Sequence, residues 1–288
     1  MKTILIVGPN SYIGKKMFNY FSCEKAKYHV ESITLRNNLW KENNLSKYDH
    51  IIYVVGLAHL KENEKNKENY YKVNYELTKE FADECKRQNV KNIIYFSTMS
   101  VFGNARGEIN ENTPILPISH YGKSKALAEN YLIEKFEKLN TKVQIIRPPM
   151  VYGYNSPGNY SLLSKVVKKI KLFPMYENKR SMIDINNLCF FVEELINSNL
   201  NDIYYHPQNS YYTNTSLMVK EIADLNGKKI ILVKVNKKIM NILFFFTTIR
   251  KLFDDLYYST EFSFLNNRIS YDELTFEESI AKSENIKS

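Results

Sequence analysis

Glycine and proline are scarce in this chain, nine and eight residues among 288, which excludes collagen-like and linker-dominated architectures. Cysteine is scarcer still. Cys23, Cys85 and Cys189 are odd in number and far apart, so they encode neither a disulfide framework nor a zinc site. No apolar run reaches the ~18 residues of a membrane span, and the longest, around Ile239–Phe246, falls well short. The opening MKTILIVG lacks the long apolar region and small-residue cleavage site of a secretory signal. These absences predict a soluble, cytoplasmic chain with no transmembrane segment and no metal site.

What is present is an ordinary globular balance, 44% hydrophobic and 25% charged, which argues against disorder. The length suits one large α/β domain or two modest ones. A net charge of +9 admits nucleic acid, an anionic membrane face or phosphorylated small molecules as partners. The lysines are scattered over helix faces rather than gathered in a compact run. No nucleic-acid partner is expected, and phosphorylated ligands are kept.

Thr3–Val7 is a short, continuous apolar run, as expected of a parallel strand buried on both faces. It ends in GPNSYIG, after which KKMFNYF reads as a helix. Strand, glycine turn and helix in this order suit a dinucleotide, because the turn lets backbone approach a pyrophosphate and the helix N-terminus offers N–H groups. A plain strand-to-helix junction is the alternative. Gly8 and Gly14 hold the outer glycine positions, but Ser11 occupies the middle one, where it either crowds a phosphate or hydrogen-bonds to it. The next strand, Val30–Leu35, ends at Arg36, with no acidic residue through Asn38. Such a position suits the 2′-phosphate of NADP better than the free ribose of NAD, the alternative being an exposed loop arginine.

Further buried strands are expected at Ile51–Val55, Ile93–Phe96 and Val143–Ile146, with helices over Tyr71–Arg87 and Tyr121–Glu137. This alternation predicts an α/β fold with a doubly wound parallel sheet. Ligands of such sheets bind at the carboxyl ends of the strands, where Gly8, Arg36, Gly56, Thr98 and Pro148 fall.

Tyr121 and Lys125 form a Tyr-x-x-x-Lys pair at the start of a helix, and their spacing puts both on one face. A free phenol, with a pKa of ~10, is a poor proton carrier at neutral pH. A nearby ammonium favours the phenolate and brings it toward the working range. Thr98, at a neighbouring strand end, could complete a group that polarises a carbonyl or alkoxide oxygen.

The turn GPNSYIG, the segment FSTMSVFG, the YGKSK helix and RPPMVYG together resemble the extended short-chain dehydrogenase/reductases. More narrowly they resemble the NAD-dependent epimerase/dehydratase group acting on nucleotide sugars. The resemblance runs to about residue 235. It implies a Rossmann-type sheet over 1–150 plus about 184–206, and a smaller substrate-binding lobe over 151–183 plus 207–288. It implies Tyr121 as acid/base, Lys125 on the nicotinamide ribose and lowering the tyrosine pKa, and Thr98 on the reacting oxygen. Asn74 and Thr78 become helix positions of structural or proton-relay value, the alternative being an exposed helix face. The cofactor site would comprise Gly8, Asn10, Ser11, Tyr12, Ile13, Gly14, Arg36, Val54, Val55, Gly56, Ser97, Tyr121, Lys125, Pro148 and Val151. Substrate contacts would come from Ser100, from Asn159 and from Arg180, the last on a nucleotide diphosphate. His59 reads as substrate-facing, as a loop histidine or as a helix cap. Met99-Ser100 depart from the acidic pair that the family's dehydratases carry after the threonine. A thioether carries no proton, so dehydration is not expected.

With Arg36 favouring NADP(H), the reaction this resemblance implies is a reduction: a 4-ketoreductase of a UDP-4-keto-6-deoxy-N-acetylhexosamine for surface-polysaccharide precursors. The alternative is a UDP-sugar 4-epimerase of the UDP-glucose or UDP-GlcNAc type, with retained NAD(H). A non-catalytic dinucleotide sensor is the reading from another class. Near the C-terminus a helix is expected at Ser216–Leu225 and a strand at Lys229–Val233. Lys237–Tyr258 reads as one apolar helix that packs on the substrate lobe, forms a homodimer contact or lies on a membrane surface. The tail after Phe276 is expected to fray.

Overall fold

The computed structural model describes residues 1–58, 66–103, 105–245, 247–263 and 274–286. They divide into two compact units. The first comprises Met1–Asn104, Pro114–Pro148 and Phe191–Pro207; the second comprises Ala105–Thr113, Pro149–Phe190 and Gln208–Ser288.

In the first unit, six of the described strands form one parallel sheet. Its order is Tyr204–Tyr205, Lys142–Ile146, Asn92–Phe96, His50–Tyr53, Lys2–Val7, Tyr28–Ile33. The chain leaves the first strand toward one edge, then returns to build the other side. The order therefore reverses between Lys2–Val7 and His50–Tyr53, where a doubly wound sheet opens its ligand crevice. Ile4, Leu5, Ile6 and Val7 are all fully buried, as a central strand with helices on both faces requires. Register is fixed by apolar neighbours, Ile6 beside Ile52 and Ile52 beside Ile94. On one face the side chains Leu5, Val7, Ile51, Tyr53, Ile93, Tyr95 and Ile145 meet Trp40, Phe81, Ala128, Leu132 and Phe136.

The expected strands lie within a residue or two of their observed bounds, and the sixth, Tyr204–Tyr205, was not anticipated. The helix expected over Tyr71–Arg87 has three parts, α-helix at Lys67–Tyr71, a π-turn at Lys72–Glu76 and α-helix at Leu77–Arg87. Turns of this wide type collect at functional sites.

The second unit has its own core of Tyr152, Tyr160, Leu163, Val167, Met182, Met218, Val219, Ile222, Met240 and Ile280. Ala105–Thr113, expected with the first domain, belongs to this unit, because Gly107–Ile109 pairs with Leu256–Tyr258. The first unit likewise resumes at Phe191 rather than about residue 184. Lys237–Tyr258 is not one helix. It comprises helices Lys237–Leu243 and Thr247–Phe253 and the strand Leu256–Tyr258. The described part of the tail does not fray either. Phe276–Ser283 is a helix whose Thr275 and Glu278 form a reciprocal cap, with Ile280 fully buried. The expected strand at Lys229–Val233 is Ile231–Lys234, paired with Leu172–Met175.

Candidate active site

The first helix, Tyr12–Cys23, begins directly after the glycine turn. Ser11, expected to crowd or bind a phosphate, uses its hydroxyl within the turn. It accepts from the Gly14 N–H and donates to the Gly8 carbonyl, both at 3.0 Å. Ser11 is thus the helix N-cap. A Cβ on Gly14 would run into the Gly8 carbonyl oxygen, so only glycine lets the turn close this tightly. The helix N-terminus faces the carboxyl end of the first strand with its partial positive charge.

Tyr121 and Lys125 lie on the helix His120–Phe136, capped by Ser119, whose hydroxyl accepts from the Gly122 N–H at 3.0 Å. This helix start packs against the turn at Met99–Phe102. A Cβ on Gly122 would lie 2.6 Å from the Ser100 carbonyl oxygen. The close approach sets Tyr121 beside Thr98, whose hydroxyl favours the phenolate. Thr98 also caps its own turn, accepting from the Ser100 N–H at 3.1 Å.

The electrostatics differ from expectation. Burial is the first influence on the Tyr121 phenol and pushes its pKa up; Thr98 opposes this and Tyr70 adds to it. The lowering expected from Lys125 is not found. The lysine is itself buried, which brings its ammonium down to about 7 against the pull of Glu129. Its Nζ donates to the Phe96 carbonyl at 2.8 Å and to the Val55 carbonyl at 3.1 Å, and lies 4.7 Å from the centre of the Tyr95 ring. Lys125 thus ties together the ends of the third and fourth strands of the chain.

Asn74 and Thr78 are buried, so the exposed-face reading falls. Asn74 donates to Ser124 Oγ at 3.0 Å, and Ser124 donates to the Tyr121 carbonyl at 2.9 Å. Thr78 donates to the Asn74 carbonyl at 2.8 Å and shares a hydrogen bond of 3.1 Å with the Tyr53 hydroxyl. The π-turn carries Asn74 against the helix that bears Tyr121.

One pair escaped the sequence reading. Glu129 accepts from the Arg147 guanidinium at 3.1 Å and 2.6 Å, both side chains buried, with the guanidinium carbon 3.9 Å from the centre of the Tyr204 ring. Glu129 follows Lys125 at the spacing by which Lys125 follows Tyr121, so a third polar position on that stripe was the available signal. Ser97 Oγ, at the end of the fourth strand, is buried without a hydrogen-bond partner among the described residues.

Gly8, Asn10, Ser11, Tyr12, Ile13, Gly14, Arg36, Val54, Val55, Gly56, Ser97, Thr98, Ser100, Tyr121, Lys125 and Pro148 all lie in the first unit. Arg36 is exposed, three residues beyond the end of its strand at Ile33. Val151, Asn159 and Arg180 lie in the second unit. Val151 pairs with Ile183, and Asn159 opens the helix Asn159–Val167. Arg180 donates to the Asp254 carbonyl at 2.8 Å, and burial lowers its pKa against Asp254 and Asp255. His59 lies outside the described residues. Among those residues, no group of three or more His, Cys, Asp or Glu side chains could hold a metal ion.

The model of the NAD dependent epimerase/dehydratase family matches residues 4–191. The chain is 28% identical over 244 residues to the N-acetyl-alpha-D-glucosaminyl-diphospho-ditrans,octacis-undecaprenol 4-epimerase of Escherichia coli O157:H7, covering 79% of this chain and 73% of that one. It is 25% identical over 253 residues to the UDP-glucose 4-epimerase of Vibrio cholerae, covering 77% and 75% respectively. Among solved structures, UDP-glucuronic acid 4-epimerase from Bacillus cereus in complex with NAD matches with a TM-score of 0.78 at 15% identity, over 98% of this chain and 97% of that one. The dTDP-4-dehydrorhamnose reductase from Bacillus anthracis in complex with NADP matches at 0.72 and 18% identity, over 98% of each. At such identities the two structures establish the fold.

Proposed function

The chain belongs to the NAD dependent epimerase/dehydratase family, and from that membership we propose that it is a 4-epimerase of an N-acetylhexosamine carried on a diphosphate. It is an NAD(P)-dependent enzyme. Two features of the first unit suit a nicotinamide dinucleotide: a glycine turn closing on a helix N-terminus, and the buried, unsatisfied hydroxyl of Ser97. A nicotinamide held there would supply the redox chemistry, taking up the hydride of the sugar carbon and delivering it back to the opposite face of the ketone.

The observation that carries the reading is the hydroxyl pair of Thr98, just beyond the fourth strand, and Tyr121, on the helix that bears Lys125. Tyr121 takes the proton of the sugar hydroxyl as the carbon is oxidised and gives it back as the carbon is reduced. Thr98 donates to the oxygen between those events and steadies the phenolate. Lys125 holds the strand ends beneath them. Two curated relatives named as 4-epimerases, each matched over more than two thirds of its length, favour epimerisation over the reduction expected first.

Incubation of the purified protein with UDP-GlcNAc, and separately with GlcNAc-diphosphoundecaprenol, tests this, with no dinucleotide added and the C4 epimers resolved by NMR. Formation of the GalNAc epimer is the expected result. No epimer from either substrate, with or without added NAD, would refute it.

The second reading is the 4-ketoreductase, and Arg36 favours it. An ion pair to the 2′-phosphate contributes ~1.5–3 kcal/mol, about 10- to 100-fold in affinity. Under that reading NADPH binds more tightly than NADH by this factor, and Arg36→Ala erases the difference in a fluorescence titration.

A further inference from the structure

From Leu225 to Phe253 the chain carries seven Lys and Arg residues and no Asp or Glu. This stretch belongs to the second unit and includes the helix Lys237–Leu243. Asn236 caps the helix, accepting from the Ile239 N–H at 2.9 Å. Met240 is fully buried in the core of the unit, and the Phe244 ring lies edge-on to Tyr176 at 5.9 Å. These contacts fix which side faces inward. On the other side Ile239 is 50% exposed, Ile242 66% and Phe245 85%. Their spacing of three sets them along one stripe. A segment apolar on both sides is normally buried on both, and this one leaves its outer stripe in water. The strand leading into it adds Ile231, exposed beside Leu172, and Val233 two residues on. Lys228, Lys229, Lys234 and Lys238 are exposed along the same segment.

We infer that the second unit docks on an anionic lipid bilayer, with Ile239, Ile242 and Phe245 entering the head-group boundary and the surrounding lysines meeting lipid phosphates. Exposed apolar side chains interspersed with exposed lysines along one segment are the pattern of a segment lying in the membrane interface. A helix of seven residues lies on a bilayer and does not cross it. A second copy of this chain fits less well, since a symmetric contact would set these like charges against each other. Nucleic acid would use the lysines and leave Ile242 and Phe245 in water. The inference does not depend on the proposed reaction.

Vesicle flotation of the full chain, without substrate or dinucleotide, tests it, so its outcome is separate from that of the epimerase assay. The protein is expected to float with vesicles of phosphatidylcholine and phosphatidylglycerol, not with phosphatidylcholine alone, and less as salt rises. Ile242→Ser/Phe245→Ser changes only exposed side chains and is expected to weaken binding roughly tenfold or more. Lys234→Gln/Lys238→Gln is expected to weaken it in the same direction. Failure of the wild type to float, or unchanged flotation of the serine variant, would overturn the inference. So would lipid-free self-association that the serine variant abolishes, because the stripe would then be covered by a second copy.

Discussion

Asn74 grips Leu57 by both of its backbone polar groups, accepting from its N–H at 2.7 Å and donating to its carbonyl at 3.2 Å. A buried side-chain amide thus takes the place of a neighbouring strand for the loop that follows His50–Tyr53. The same amide reaches Ser124 on the helix of Tyr121.

Asn74→Leu keeps the volume and removes every one of these bonds. Each buried polar group left unsatisfied costs about 1–3 kcal/mol. The variant is expected to melt several degrees lower and to bind dinucleotide more weakly, because the Leu57 loop loses its anchor. Asn74→Asp, which keeps the acceptor for the Leu57 N–H, should fall between them. Calorimetry with dinucleotide titration measures both effects, and a Leu variant equal to wild type in both would remove Asn74 from the site.

Tyr121→Phe is expected to lower turnover by ~10²–10⁴, the usual worth of a positioned acid/base, with an unchanged circular dichroism spectrum. Thr98→Val is the more discriminating change. Thr98 holds the phenol pKa down against burial. Without it the phenol rises further, and the acid limb of the kcat/KM profile should move to higher pH. A limb that stays in place would separate the two hydroxyls.

Lys125 has a stability signature of its own. Its folded pKa of about 7 lies below the ordinary 10.5. Below about 7 both folded and unfolded chains carry the proton, and the burial penalty is fully present. Between about 7 and 10.5 only the unfolded chain carries it, so the penalty shrinks as pH rises. The Tm of the wild type relative to Lys125→Met should therefore be lowest in acid and climb through this window. A difference that is flat with pH would show that the lysine keeps its proton when folded.

The Glu129–Arg147 pair should show the asymmetry of buried charges. Arg147→Met strands a carboxylate and is expected to cost about 3–5 kcal/mol, whereas Glu129→Leu/Arg147→Met should recover most of that. Trp40, the sole tryptophan, sits in the core of the same unit, so its fluorescence in urea follows the change directly. Equal loss in the single and double variants would show that packing, not charge, sets the effect.

The sequence by itself determined the parallel sheet and the Tyr-x-x-x-Lys helix. Both are written in local patterns: unbroken apolar runs such as Ile4–Val7, glycines at a strand-to-helix turn, and a four-residue spacing on one helix face. The same locality explains the misreadings. Lys237–Tyr258 carries a helical apolar pattern throughout, yet Leu256–Tyr258 leaves it to pair with Gly107–Ile109, a partner remote in the chain. The helix Phe276–Ser283 looked like a charged tail because its reward, burial of Ile280, is supplied by residues far upstream. Titration was decided the same way. Spacing suggested that Lys125 would charge Tyr121, but the fold aims the ammonium at the Val55 and Phe96 carbonyls and buries both groups, so desolvation outweighs proximity. Spacing along one helix is encoded within a few residues, whereas the solvent a side chain loses depends on every segment folded over it.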